Sequence, residues 1–317
     1  MIPNNIYKVN DKHYHMKTKL IIIITILVLL FTGCSNNTTV TENKNQETVI
    51  ATTFFPLYEI TKEITGNDFK IVSVIPTDVE PHEYELSTKE IKNFEKADLF
   101  VTLGVGFVNV ENKLISSRNN INIIDSAKGL SFIDIQNENN NFFNDETGVD
   151  PHIWVSPKNM KKIATNIYNG LVSRYPNNKD EFEYNYNQLI ANLNLLDEDY
   201  SQELSNCSKN VILATHDAYY YLGRDYGFQV YSISGIEPES EPNPQQIAKI
   251  VEIAKENNIK YVFYEDFVSP QVAKTIASEV GAEVLILNPA EGGDDGDTYV
   301  SIMQSNLNNL KLALQCS

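Results

Sequence analysis

The amino-acid sequence predicts an α/β protein of two lobes, each a small parallel sheet flanked by helices, joined by one long rigid helix. Three observations lead there. Short apolar runs rich in β-branched residues alternate with helical stretches. The alternation occurs twice along the 317 residues. Between the two halves, Asn178 to Leu204 contains neither glycine nor proline.

In chain order, Val49–Thr53, Ile71–Ile75, Leu99–Leu103 and Ile121–Ile124 are expected to be buried strands, with helices such as Tyr58–Thr65 and Ser87–Lys96 between them. The second half repeats the pattern with strands at Val211–Ala214, Gln229–Ile233, Tyr261–Tyr264 and Val284–Leu287. Its clearest helix is Pro244–Glu256, where Ile247, Ile250, Val251 and Ala254 share one face and Pro244 suits the first turn. Strand–helix alternation argues for parallel sheets covered by helices. The intervening segment carries an apolar stripe that includes Ile190, Leu193 and Leu196 on an otherwise acidic helix, so it reads as a strut that lets the lobes hinge little.

Composition narrows the function classes. A hydrophobic content of 42% with 21% charged residues describes a globular body, and the formal net charge is −17. A nucleic-acid ligand is not expected, because such binding needs a basic surface. An acidic surface suits attraction of cations, although acidity also serves solubility alone.

The N-terminal part reads as an address. Lys17 and Lys19 precede the apolar run Leu20–Phe31, which is too short to span a bilayer and suits a secretory signal. The following Leu30-Phe31-Thr32-Gly33-Cys34 resembles a bacterial lipobox in which Cys34 becomes the lipidated N-terminus. Phe31 departs from the aliphatic residue usual there, and the competing reading is an uncleaved anchor helix. Met16 is the better initiator. The expected organisation is residues 1–34 signal peptide, 35–47 flexible tether, 48–177 N-terminal lobe, 178–207 linking helix and 208–317 C-terminal lobe. The protein would thus sit on the outer face of the bacterial cytoplasmic membrane, held by its lipid, as a monomer. Of the three cysteines, Cys207 and Cys316 remain; they could pair or stay as free thiols.

Beyond Met16 only three histidines occur: His82, His152 and His216. A lone histidine is more often a hydrogen-bonded surface or core residue than a ligand. All three of these, however, fall on loops leaving the carboxyl edge of a predicted sheet, where open α/β folds bind ligands. Glu291 follows the last strand in the same manner. Two such residues come from each half, which puts a site between the lobes. Three imidazoles and a carboxylate suit tetrahedral zinc, and four protein ligands leave no open position for catalysis. Asp150 and Asp217 neighbour the histidines and are candidates to orient the imidazoles.

The segments EPHEYE, DPHIWVSP, ATHDAYYYLGRDYGF and VFYEDFVSP resemble those of the zinc-specific solute-binding proteins of ABC transporters, the AdcA/ZnuA-like group of the cluster A-I metal-binding lipoproteins. The resemblance runs from about Ile50 to the end. It implies Zn2+ as cargo, His82, His152, His216 and Glu291 as ligands, and a cognate permease with a separate ATPase as partners. Manganese-binding relatives usually carry Glu where His216 stands, which favours zinc. Two departures are visible. The stretch Asp134–Thr147 is Asn- and acid-rich where many zinc members have a His-rich loop, and Leu86 replaces a common proline. The run Asp294-Asp295-Gly296-Asp297 reads as a solvated turn, since it lacks the spacing of a calcium loop. Rival readings are a manganese or iron carrier of the same family, a zinc hydrolase, for which the chain has no HExxH, and a surface adhesin.

Overall fold

A computed structural model of the chain describes residues 47–317 apart from 83, 105–108, 119, 135–147 and 236–241. The signal segment with Cys34, nearly all of the tether, and the Asn-rich stretch from 135 onward lie outside the described residues.

The first half builds β1 (Val49–Thr52), α1 (Phe55–Thr65), β2 (Lys70–Ser73), α2 (Thr88–Phe94), β3 (Leu99–Thr102), α3 (Asn109–Ser117) and β4 (Asn122–Asp125). Its four strands pair in parallel in the order β2-β1-β3-β4. Two helices follow, α4 (Pro157–Arg174) and the long α5 (Lys179–Glu203). The second half supplies β5 (Val211–His216), α6 (Tyr220–Tyr226), β6 (Gln229–Gly235), α7 (Pro244–Glu256), β7 (Tyr261–Tyr264), α8 (Gln271–Val280), β8 (Glu283–Ile286) and α9 (Tyr299–Leu314). Its sheet has the equivalent order, β6-β5-β7-β8, again all parallel. In each sheet the chain moves outward from the first strand and then returns to its other side. The loops at the carboxyl ends of the two central strands therefore part, opening a crevice.

Local chemistry accounts for the helix boundaries. Helix α1 begins three residues before the predicted Tyr58, because Pro56 sits in its first turn, where the missing amide costs nothing. Ser87 is the cap of α2 rather than its first residue: its hydroxyl accepts from Glu90 N at 3.3 Å while the Glu90 carboxylate accepts from Ser87 N at 2.7 Å. Asn243 and Gln246 form the same reciprocal pair at the start of α7, which matches its predicted span. Asp294 and Asp297 close the exposed acidic run into a turn, Asp297 Oδ2 accepting from Asp294 N at 3.1 Å.

Helix α5 has 25 residues, about 37 Å at ~1.5 Å per residue. Its buried residues Phe182, Leu189, Leu193, Leu196 and Tyr200 recur at helical spacing and make one stripe. At the C-terminal end of that stripe the Tyr200 hydroxyl donates to Met303 O of α9 at 2.7 Å. One buried apolar cluster runs continuously from Ile50 and Phe100 of the first sheet, through Ile163 and Leu193 of α4 and α5, to Ile212, Phe263 and Leu310 of the second half. A smaller cluster, including Leu213, Ile250, Val262 and Ile276, lies between the second sheet and helices α7 and α8. Glu47–Ser317 accordingly forms one compact unit. Among the described residues no helix is long and apolar enough to cross a membrane.

Cys207 and Cys316, whose pairing the sequence leaves open, form a disulfide. It ties the end of α5 to the end of α9, beside backbone bonds from Ser208 N to Gln315 O (3.2 Å) and Lys209 N to Leu314 O (3.0 Å). The loop it closes spans 109 residues, so Cys207→Ser with Cys316→Ser is expected to lower unfolding free energy by about 2–4 kcal/mol. Urea denaturation with and without reductant measures this; coincident curves would show that the packing of α9 on α5 suffices alone.

Candidate metal centre

Four side chains, three from loops and one from the end of a strand, meet where the carboxyl edges of the two sheets face each other. His82 lies on the loop after β2. His152 precedes the short 3-10 turn Ile153–Val155 that leads into α4. His216 is the last residue of β5, which runs two residues beyond its predicted end at Ala214, with a register irregularity between Ala214 and His216. Glu291 follows β8. One ligand-type atom from each lies within 4.8 Å of those from the others. His82 Nε2 is 3.1 Å from His152 Nε2, and Glu291 Oε1 is 3.4 Å from each of them. The imidazole centroids are separated by 5.2 Å (82–152), 5.1 Å (82–216) and 4.7 Å (152–216). These side chains are at most 4% exposed.

Each loop is held from behind. The Glu80 carboxylate accepts from His82 N at 2.9 Å. Asp150 Oδ1 accepts from both His152 N (2.9 Å) and His152 Nδ1 (2.8 Å), which turns Nε2 into the cluster. The Tyr221 hydroxyl donates to Asp150 O at 2.7 Å and accepts from Ile133 N at 3.0 Å, so a residue of α6 braces the loop that carries His152. Gly293 N donates to Thr77 O at 2.8 Å, joining the Glu291 loop to the His82 loop. At neighbouring Gly292 a Cβ would stand 2.7 Å from Thr77 O and 2.7 Å from the Phe267 ring, so only glycine permits that approach.

Asp150 and Asp217 were the sequence candidates for orienting the imidazoles. The carboxylate at His216 Nδ1 is instead Glu265, 2.5 Å away, close but poorly aimed for a hydrogen bond. Asp217 lies against Tyr220 and adds its charge to that hydroxyl's raised pKa, which burial raises first. Glu265 is the residue immediately after β7, the same carboxyl-edge position that singled out the histidines, inside the quoted segment VFYEDFVSP. Reading that rule for carboxylates as well as imidazoles would have found it.

Burial sets the electrostatics. It lowers His152 well below the ordinary histidine value, helped by the charges of His216 and His82. Burial acts the same way on His216, but the Glu265 carboxylate outweighs it and pushes His216 up to about 10. Desolvation raises Glu291 to about 7 against the pull of His216. It raises Glu265 also, His216 again opposing. Among the described residues, His216 Nε2 and Glu291 Oε1 are buried without a hydrogen bond, which is costly unless something else engages them.

A sequence family described as zinc-uptake complex component A, periplasmic (ZnuA), matches residues 50–313. The chain belongs to this family. Family membership agrees with the resemblance carried by the four quoted segments. The high-affinity zinc uptake system protein ZnuA of Bacillus subtilis (strain 168) is 32% identical over 309 residues, covering 92% of this chain and 96% of that protein. The zinc-binding lipoprotein AdcA of Streptococcus pneumoniae serotype 4 is 31% identical over 308 residues, which cover 93% of this chain but only 61% of AdcA. Among solved structures, the Zn(II)-bound ZnuA-like domain of Streptococcus pneumoniae AdcA superposes with a TM-score of 0.73 at 31% identity, over 84% of this chain and 99% of that domain.

The bracing of His152 is testable apart from any metal. Tyr221→Phe removes a donor to Asp150 O and an acceptor for Ile133 N, and should cost about 1–3 kcal/mol of stability in the metal-free protein. Urea denaturation midpoints measure it; an unchanged midpoint would mean that these two backbone groups find other partners without cost.

Proposed function

We propose that this ZnuA-family chain captures Zn2+ outside the cytoplasm through His82, His152, His216 and Glu291 and delivers it to an ABC permease powered by a separate ATPase. The observation that carries the ligand assignment is the spacing of the site atoms. Ligands at ~2.0–2.1 Å from a tetrahedral zinc ion stand about 3.3–3.4 Å from one another. The contacts among His82 Nε2, His152 Nε2 and Glu291 Oε1 measure 3.1, 3.4 and 3.4 Å, close to three edges of that tetrahedron, and His216 supplies the fourth corner. Three imidazole nitrogens with one carboxylate oxygen suit zinc; the harder manganese ion favours a more oxygen-rich set.

The carrier reading follows from the same donors. Four protein ligands complete a tetrahedral shell, whereas catalytic zinc keeps a position for water or substrate. Asp150 fixes which nitrogen of His152 faces the ion, and Glu265 sets a carboxylate charge against Nδ1 of His216. Delivery then requires the partner permease to disturb at least one of the four ligand-bearing segments. Attachment to the outer face of the membrane through a lipid on Cys34 is supported by the Leu30–Cys34 motif and by the lipoprotein designation of AdcA.

Competitive titration against a chromophoric zinc chelator tests the assignment. The wild type should bind one Zn2+ per chain; His152→Ala should weaken binding by more than about 100-fold, beyond the loss typical of an outer-shell partner. Uptake of manganese in preference to zinc would overturn the cargo and leave the carrier role standing, and uptake of neither would overturn both.

Protons compete for the same imidazole nitrogens, and Glu265 holds the proton of His216 up to about 10, so zinc affinity should fall progressively as pH falls below that value, His152 adding to the loss only at low pH. An affinity that stays flat from pH 8 to pH 5 would contradict a three-histidine site.

A further inference from the structure

Glu291 reaches the centre on an unusual turn. Ala290 has φ +58°, left-handed backbone that a non-glycine residue rarely adopts, and it is fully buried. Pro289, just before it, has no amide to donate. Nothing in the turn's own composition holds the carboxylate in place, apart from the Asn288 side chain, whose Oδ1 accepts from Ala290 N at 2.7 Å.

What holds it comes from elsewhere. Three consecutive carbonyls of this turn each accept a hydrogen bond from a different, buried side chain. The Tyr219 hydroxyl donates to Leu287 O. Asn306 Nδ2, on α9, donates to Asn288 O at 2.6 Å, and Asn306 Oδ1 accepts from Asn288 N at 2.9 Å. Trp154 Nε1 donates to Pro289 O at 2.8 Å. Tyr219, Asn306 and Trp154 are each at most 1% exposed. Trp154 is itself held through its carbonyl by the Tyr299 hydroxyl at 2.8 Å.

The origins of the donors matter. Trp154 stands two residues after His152, and Tyr219 three after His216. Two of the histidine-bearing segments thus grip the turn that carries the carboxylate, Trp154 from the other half and Tyr219 from the same one, and α9 supplies the third donor.

We propose that Tyr219, Asn306 and Trp154 are positioning residues that set Glu291 in register with His152 and His216, so that the carboxylate is pre-placed for the ion. The inference rests on Glu291 being a zinc ligand. A buried turn with a left-handed Ala290 would relax to several alternative conformations without these donors, and the carboxylate oxygen would lose its place relative to the imidazoles. Preorganisation of this kind appears as metal affinity: loss of an outer partner typically weakens a site by about 10–100-fold.

The test is a double-mutant cycle on zinc affinity. Tyr219→Phe removes a single oxygen and keeps the ring, and Asn306→Leu removes both of that residue's bonds to Asn288 while keeping the same branched heavy-atom skeleton. Each should weaken zinc binding about tenfold in the wild-type background. In the Glu291→Ala background, where there is no carboxylate left to place, the same substitutions should change affinity by less than about twofold, since residues that act through one another are not additive. Equal losses in both backgrounds would overturn the proposal and leave these side chains a general structural role. An undiminished affinity in Tyr219→Phe would overturn it as well, and that variant carries the test if Asn306→Leu fails to fold. Failure of the ligand assignment looks different: Glu291→Ala alone would then bind zinc as tightly as the wild type.

Discussion

Bringing four ligand-type atoms within 4.8 Å of one another, almost out of reach of water, is the constraint on which the rest of this structure depends. Imidazoles packed this closely cannot all be charged, and a buried carboxylate resists ionising. The fold answers with carboxylates behind the imidazoles, Asp150 at His152 Nδ1 and Glu265 at His216 Nδ1, and with backbone braces from Tyr221, Glu80 and Gly293. Without those partners the cluster would have reason to spread apart. With them the nitrogens that face inward are chosen before any ion arrives.

Rigidity follows from how the halves are joined. The apolar core passes without a break from the first sheet through α4 and α5 into the second, the long helix carries no glycine or proline, and a disulfide fastens its end to the C-terminal helix. Hydrogen bonds across the site connect segments from opposite halves, as with Tyr221 and Asp150 or Trp154 and Pro289. In the proposed role, bracing of this kind would make release depend on displacing a loop rather than on swinging a lobe. That fits the proposed role, in which the ion must be held firmly in transit and given up only to a partner.

Much of this was legible in the chain, and the reasons are local. Helix α7 and strand β7 match their predicted spans because a capping pair and a run of four β-formers mark them without reference to anything distant. Helix α1 begins three residues before its apolar periodicity predicts because Pro56 occupies the first turn. The histidines stood out because a single position, the carboxyl edge of a parallel sheet, accounts for all of them. Glu265 satisfies the same rule and escaped notice because a lone carboxylate on an acidic chain is no signal by itself. Its meaning comes only from lying 2.5 Å from His216.

The sequence alone determined the two α/β halves, the long connecting helix and the four residues at the centre, since periodicity, capping and strand-end position are properties of neighbouring residues. Tertiary structure decided the rest. It paired Cys207 with Cys316, gave His216 to Glu265 rather than to adjacent Asp217, and brought Trp154, Tyr219 and Asn306 to three successive carbonyls of one turn. Four of those contacts join residues 49 or more positions apart, and which of many equally suitable partners meets which is set by how two sheets pack on a shared core, a choice no short stretch of chain contains.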